Sequence, residues 1–146
     1  MWWLTRLRRL PPWARHYLRE AIVYLIAARI ALRVFPFRSL TWFCEWKDSK
    51  PELRGAERAR RRKGVRWGIQ EAARFLPGQS ACFARALAAQ ALLRRYGVST
   101  TLYYGAASRS EQGLMAHVWL LDGSEGIVGH EAAQDYHILA SFPEAR

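Results

Sequence analysis

Two residues of this 146-residue chain, Cys82 and His117, are of the types that form a nucleophile–base pair. Cys82 is predicted to be the second residue of a helix that begins just after Ser80. The first turn of a helix presents unpaired backbone N–H groups and a positive dipole end, which favour a thiolate. Ser80, Ala81 and Cys82 would form this turn and hold an oxyanion. The competing interpretation is a small core residue, a common role for free cysteines.

His117 lies in an otherwise apolar segment, residues 114–121, which predicts a strand. A nucleophilic cysteine needs a base, and histidine is the usual one, although a lone histidine in such a segment is more often a core residue. Side chains alternate along a strand, so Trp119 shares the face of His117. If that face packs on the helix of Cys82, the two side chains can meet. We therefore interpret Cys82 as the nucleophile and His117 as the base.

Three residues are candidates for the group that orients the imidazole: Asp122, His130 and Glu131. Asp122 is about 16 Å along the same strand, at ~3.3 Å per residue, and points to the opposite face. A two-residue turn, either at Gly123-Ser124 or at Asp122-Gly123, places His130 on the face of His117. Glu131 would reach that face only through a bulge. His130 is thus favoured by position, although a carboxylate would stabilise an imidazolium better.

Cys82, His117 and His130 are also a conceivable zinc-ligand set with an open fourth position. Neither a CxxC nor an HxxxH spacing supports this interpretation. We expect no metal and no cofactor.

The composition predicts one folded domain, since the length is typical of a single domain and 51% of the residues are hydrophobic. The net charge is +11, and the basic excess lies entirely in the first half of the chain. Residues 1–73 hold 17 basic and 6 acidic residues, whereas residues 74–146 hold 6 of each. A strongly basic half indicates an acidic partner, such as a peptide, a protein, a membrane surface or nucleic acid.

The two cysteines, Cys44 and Cys82, are too few for a disulfide framework, and we expect free thiols in a reducing compartment. The longest apolar run, residues 21–28, is far shorter than the roughly 20 residues that span a bilayer. A signal peptide is not indicated, because prolines and charges precede that run. We predict a cytoplasmic protein. Its start, WWLTRLRRLPPW, either packs on protein or contacts a membrane surface.

Periodicity predicts helices over residues 13–35, 65–76 and 81–95, with a short element over 37–50. The wide apolar stripe of the first helix is expected to be largely covered. The third helix is apolar nearly all round, which predicts a buried central helix ending at Gly97. Four strands are predicted after it, over 99–107, 114–121, 126–132 and 136–142. Helices followed by a small antiparallel sheet constitute an α+β fold.

We divide the chain into a basic helical region, residues 1–63, and a core, residues 64–146, which together form one compact unit. The basic region ends in a charge run: Arg58, Arg60, Arg61, Arg62 and Lys63. This run is either a solvated helix face or a docking surface. Binding of nucleic acid is disfavoured, because the run lacks interleaved aromatic residues.

Three runs together, SACFARALAAQALLRRYG, MAHVWLLDG and IVGHEAAQDYHILASFP, resemble the transglutaminase-like cysteine protease superfamily. More narrowly, they resemble the stand-alone maturation protease of lasso-peptide biosynthesis, over residues 64–143. The resemblance implies a papain-like core and removal of the leader from a ribosomal precursor, with Cys82 as nucleophile and His117 as base. The family's acid follows a glycine on the strand after the hairpin. This chain has His130 there, a departure from the Cys–His–Asp triad.

The resemblance also implies partners. Residues 1–63 do not have the pattern of the leader-recognition domain on which such proteases depend, so we expect a separate leader-recognition protein besides the precursor. The charge run would dock that protein, the leader or the ATP-dependent ring-closing enzyme, and ATP would be used only by the latter. The alternatives are a related amidase or acyl transferase of the same fold, and a non-enzymatic basic binding protein.

Overall fold

The computed structural model describes residues 2–45, 50–76 and 81–143. Among these residues, helices precede the sheet, as predicted. The α-helices are α1 (Trp2–Arg8), α2 (Pro12–Val34), α3 (Phe37–Glu45), α4 (Gly55–Phe75) and α5 (Ala81–Arg95). The strands are β1 (Thr101–Arg109), β2 (Gly113–Asp122), β3 (Glu125–Val128) and β4 (His137–Phe142). A 3₁₀ helix, His130–Asp135, links β3 to β4. The sheet is antiparallel in the order β3–β2–β1–β4, which confirms the α+β fold.

Helix boundaries follow proline and glycine. Pro12 opens α2, where a proline lacks only an N–H that would be unpaired anyway, and Pro36 follows its end. α5 ends at Arg95, and two residues later Gly97 has a φ of 82°, a left-handed conformation that glycine adopts without strain. The N–H of Val98 then donates to the carbonyl of Leu93. The predicted end of the central helix is confirmed.

α5 is the buried helix around which the other elements pack. It contacts α2 and α4 on one side and the sheet on the other. Its side chains are buried from Ala86 through Gln90, and again at Leu92 and Leu93. Leu102, Val118 and Leu120 of the sheet belong to the same apolar core. We call the sheet face that carries these three residues the inner face, and the opposite one the outer face.

Two predicted elements differ from the structure. The strand predicted over 126–132 ends at Val128, because Gly129 has a φ of 71° and turns the chain out of the sheet into the 3₁₀ helix. The charge run and the following helical segment form the single helix α4, since residues 55–75 contain no proline. Of the element predicted over 37–50, α3 occupies the first part, and residues 46–49 lie outside the described residues.

The expectation that the apolar stripe of α2 is largely covered is wrong for half of the helix. One face is buried, including Leu18, Ala21 and Leu25, whereas Val23 and Ile30 on the opposite face are exposed. The helix is apolar on both faces, and the rest of the described chain packs on only one of them. No helix in the described ranges is long and apolar enough to cross a membrane.

Candidate functional site

Cys82 is the second residue of α5 and is partly exposed at the wall of an apolar groove of ≈ 370 Å³. The C-terminal end of α2, α3 and the inner face of the sheet form the other walls. The lining residues are Leu32, Phe35, Phe37, Leu40, Phe83, Tyr104, Ala116 and Val118. We call this feature the Cys82 groove. Its apolar walls suit the burial of an apolar substrate side chain beside the thiol.

The start of α5 lies where the sequence predicts it. α5 begins at Ala81, so Cys82 lies in the first turn, whose backbone N–H groups have no partners within the helix. These groups are donors for an anionic oxygen beside the thiol. Ser80 lies outside the described residues.

The second cysteine, Cys44 in α3, is in a different environment. It is buried, and this burial raises the pKa of its thiol to about 11, although the nearby Arg94 acts in the opposite direction. A thiol with this pKa carries almost no thiolate near neutral pH. Neither cysteine is in a disulfide, so both thiols are free.

We therefore predict that the two thiols react at very different rates. At pH 8, a water-soluble disulfide reagent should modify Cys82 rapidly, and Cys44 at least about 100-fold more slowly. Absorbance of the released chromophore measures the fast phase, which should vanish in Cys82→Ala and persist in Cys44→Ala. A fast phase that remains in Cys82→Ala would show that Cys44 is accessible and would contradict this prediction.

The imidazole of His117 is held by a backbone carbonyl. Its Nε2 lies 2.8 Å from the oxygen of Gly129. A carbonyl only accepts, so Nε2 donates its hydrogen and the lone pair of the neutral ring is on Nδ1. The ring also stacks on Trp119 and contacts Tyr136, with centroid distances of 5.9 and 5.0 Å. The carbonyl oxygen of Gly129 thus fixes the tautomer and the position of the His117 ring, which is the role expected of a third catalytic residue.

His117 lies on the outer face of the sheet. Ala116 and Val118 line the Cys82 groove, and His117 alternates with them along a strand whose pairing with β1 has no irregularity. Trp119, on the face of His117, stacks on Tyr103 at 5.8 Å. The face that packs on α5 is therefore the one carrying Val118, and not the one carrying His117.

A glycine and the branched core residues explain this choice of face. Gly105 pairs with His117, and a Cβ at Gly105 would lie only 2.8 Å from the ring of Trp119, so only glycine leaves room for the indole on the outer face. Val118 and Leu120 fill the inner face against α5. The structure consequently does not bring Cys82 and His117 together, and no hydrogen bond joins them among the described residues.

His130 does not take the predicted place on the strand. The hairpin starts in the expected register, with Asp122 opposite Glu125, but a bulge at the step between Leu121 and Leu120 shifts the pairing so that Leu120 faces Val128. His130 then begins the 3₁₀ helix.

The ring of His130 lies against Gly126, and its Nδ1 is buried without a partner in the described part of the chain. Its Nε2 is 3.7 Å from the carboxylate of Glu131, which is largely exposed. Neither His130 nor Glu131 forms a hydrogen bond with His117 among the described residues. The carbonyl of Gly129 occupies the position next to His117 Nε2 instead.

Asp122, the third candidate, is a buried tether between β2 and α4. Arg58 Nη2 lies 2.6 Å from Oδ1, and Arg62 Nη1 lies 2.9 Å from Oδ2. Burial alone would raise the pKa of Asp122, but the hydrogen bonds and charges of Arg58 and Arg62 outweigh it and hold the pKa below its ordinary value. Asp122 does not line the Cys82 groove. Its structural role accounts for its burial.

The charge run is partly engaged inside the molecule. Arg58 also donates to the carbonyls of Leu53 and Ser99, and Arg61 lies over the ring of Tyr96 at 4.3 Å. Arg60 is largely exposed and pairs with Glu57 one turn earlier, and Lys63 is exposed. Arg60 and Lys63 are thus the members with the most surface to offer a partner, and docking there stays a prediction. Sequence reasoning missed the link from this run to Asp122, since no local pattern signals it.

The zinc interpretation has no support in the described geometry. Cys82 lines the groove on the inner face of the sheet, whereas His117 lies on the outer face. Within residues 2–45, 50–76 and 81–143, no three His, Cys, Asp or Glu side chains are grouped closely enough to hold a metal ion.

Comparison with known proteins gives one match. A family model described as the transglutaminase-like superfamily matches residues 22–141, a range that contains both Cys82 and His117. No curated protein and no solved structure matches the chain significantly. The match begins within α2 and continues into β4, so it includes elements that form the Cys82 groove. The chain belongs to the transglutaminase-like superfamily.

Proposed function

We propose that this chain is a cysteine peptidase that removes the leader from a ribosomally made lasso-peptide precursor, with Cys82 as the nucleophile. The observation that carries the proposal is the position of Cys82, partly exposed in the first turn of the buried helix α5 and opening on an apolar groove. Membership of the transglutaminase-like superfamily supports cysteine chemistry. The sequence runs around Cys82 and His117 support the finer assignment to leader removal.

The proposed reaction uses only protein groups and water. The Cys82 thiolate attacks the carbonyl carbon at the junction of leader and core, and the first-turn N–H groups hold the resulting oxyanion. The C–N bond breaks as the leaving amine takes the proton that the base received from the thiol. Water then attacks the thioester, releasing the carboxylic acid and regenerating the thiol.

The base in this proposal is His117, acting through Nδ1. Its neighbours Ala116 and Val118 line the Cys82 groove, so the backbone of β2 passes beside the groove while the His117 side chain points to the opposite face of the sheet. The proposal therefore requires the segment around His117 to turn toward the groove when the precursor binds. Because Nε2 of His117 donates to the carbonyl of Gly129, Nδ1 is already the basic atom of the ring.

The role of His117 has its own test, the alkylation rate of Cys82 against pH in a Cys44→Ala background. With precursor bound, His117→Ala should lower the rate near neutral pH by about tenfold or more, because the imidazole no longer takes the thiol proton. Trp119→Phe, which keeps an aromatic partner for the ring, should retain the parental profile. Superimposable profiles for parent and His117→Ala would remove His117 as the base.

The function itself is tested with a lasso precursor, a separate leader-recognition protein and the parent chain. Mass spectrometry should show leader and core whose masses sum to the precursor plus one water. Hydroxylamine traps the thioester as a hydroxamate and so reports the covalent intermediate in either activity. Without it, a peptidase gives the free acid, whereas an acyl transferase gives mainly the amide of an added amine acceptor. An uncut precursor in the presence of the recognition protein would overturn the peptidase proposal, and a dominant transfer product would replace it with the acyl transferase.

The non-enzymatic alternative, a basic binding protein acting through the charge run, is less well supported. Arg58 and Arg62 are committed to the buried carboxylate of Asp122, and Arg61 contacts Tyr96 and Glu57. These contacts account for the run as a structural element that holds α4 to the sheet. They leave fewer of its charges to define a ligand surface.

A further inference from the structure

The outward face of α2 is an apolar surface that nothing in the described chain covers. Val23, Ile26, Ile30 and Val34 are 63, 42, 57 and 66% exposed. Their spacing of three, four and four residues places them on one side of the helix, directly opposite its buried face. We call these four residues the outer stripe of α2. It extends about 17 Å along the helix at ~1.5 Å per residue.

The outer stripe leads to the Cys82 groove. Phe35 directly follows Val34 in the chain and Phe37 comes two residues later, and both are exposed. The same two aromatic residues line the groove. Whatever seats on the stripe and on Phe35 and Phe37 therefore lies next to the mouth of the groove.

The border of the stripe is cationic. Arg19 lies one turn before Val23 on the same side of the helix, and Arg15 and Arg33 lie along one edge, all three exposed. Residues 1–45 contain eight arginines and two acidic residues. One of these two, Glu20, pairs with His16 and Arg95. An apolar stripe edged by arginines complements acyl chains beneath anionic headgroups.

A second copy of the chain fits this surface less well. It would bring the same arginine border against itself, in a protein whose net charge is +11. Like charges facing each other disfavour association, whereas an anionic surface attracts both the border and the whole molecule.

We propose that the outer stripe of α2, together with Phe35 and Phe37, seats this protein on an anionic lipid bilayer without crossing it. Seating in this way holds the Cys82 groove at the level of the headgroups, so that a peptide at the membrane surface reaches the thiol directly. The inference depends on the surface of α2 and not on the reaction proposed for Cys82.

The test is flotation of the purified full chain with vesicles, either of phosphatidylcholine alone or with about one third phosphatidylglycerol. The parent should float with the anionic vesicles and remain in solution with the neutral ones. Val23→Glu/Ile30→Glu should weaken binding by about tenfold or more, since two side chains lose their place among the acyl chains. Leu114→Glu/Leu139→Glu is the matched control, because it makes the same charge change at two exposed leucines of the sheet.

The control double variant should bind anionic vesicles within about twofold of the parent. A parent chain that does not float with anionic vesicles would overturn the proposal. An equal loss of vesicle binding in both double variants would show that net charge alone sets the binding, and it would also overturn the proposal. A parental dimer in sedimentation velocity that Val23→Glu/Ile30→Glu dissociates, without vesicle binding, would assign the stripe to an interface between copies instead. Cys82→Ala should float like the parent, which separates this result from the outcome of the peptidase test.

Discussion

A Cys82→Ala chain is expected to release no leader from the precursor, with a cleavage rate lower than that of the parent by on the order of 10⁴-fold or more. Cys82 Sγ is the atom that forms the covalent bond to the substrate in the proposed reaction, and alanine has no group that can replace it. The measurement is a single-turnover time course with the leader-recognition protein present, followed by mass spectrometry of leader and core.

The loss must be separated from a failure to fold. Cys82 is partly exposed at the edge of the core, so removal of its sulfur should change the free energy of unfolding by less than about 1 kcal/mol. Cys44→Ala is the companion variant, because it removes the only other thiol from a buried site away from the groove. It should keep cleavage even though it loses some stability. Cleavage that survives in Cys82→Ala would exclude covalent catalysis by this residue.

The helical half of the fold could be predicted because its signals are local. Prolines at both ends of α2, the glycine after α5 and the continuous apolar surface of α5 each act within a few residues of the boundary they set. The buried position of α5 followed from the absence of a polar face. Such signals do not depend on what the helix packs against.

The face of β2 that packs on α5 could not be predicted, because residues 114–121 are apolar on both faces. In the structure, the deciding residue is Gly105 on the neighbouring strand, which makes room for Trp119 on the outer face. The place of His130 depended on one left-handed residue, Gly129, at a position where the pattern also permitted a strand. Both outcomes rest on single glycines: Gly105 lacks the Cβ that would meet Trp119, and Gly129 adopts a left-handed conformation.

The same limit of sequence-based prediction applies to two surface features, the charge run and the outer stripe of α2. Arg58 and Arg62 find their partner Asp122 about sixty residues later, across the end of a hairpin. No periodicity links such distant residues. The apolar stripe of α2 likewise predicted burial, since sequence cannot tell a face covered by the chain itself from one that is left open.

Asp122→Ala is expected to destabilise the fold by about 3–5 kcal/mol. The carboxylate is only 6% exposed, and the side chains of Arg58 and Arg62 that it neutralises are 20 and 21% exposed. Alanine would leave Arg62 without its counter-charge and Arg58 with only the more exposed Glu52, 3.5 Å away, and α4 would lose its attachment to the end of β2. Urea denaturation at pH 7, followed by circular dichroism, measures the change.

The pH dependence of stability tests whether the Asp122 carboxylate is the cause of this destabilisation. Because the folded-state pKa of Asp122 lies below the ordinary value of roughly 3.9, its contribution is fully present above that value and is lost as pH falls through the folded-state pKa. The stability difference between parent and Asp122→Ala should therefore be constant from pH 5 to 7 and shrink in stronger acid. Glu125→Ala, an exposed carboxylate across the same turn, should change stability by less than about 0.5 kcal/mol.

Asp122→Ala also distinguishes a structural role of Asp122, which holds α4 to the sheet, from a role as the catalytic acid. If Asp122 only ties α4 to the sheet, the folded fraction of Asp122→Ala should alkylate Cys82 with the parental pH profile, because Asp122 contacts neither Cys82 nor His117 in the described structure. Asp122→Asn keeps the shape and part of the hydrogen bonding, so it supplies a folded sample if the alanine variant is too unstable. A changed alkylation profile in either variant, or a stability of Asp122→Ala equal to that of Glu125→Ala, would contradict the tether and return Asp122 to the candidates for the third catalytic residue.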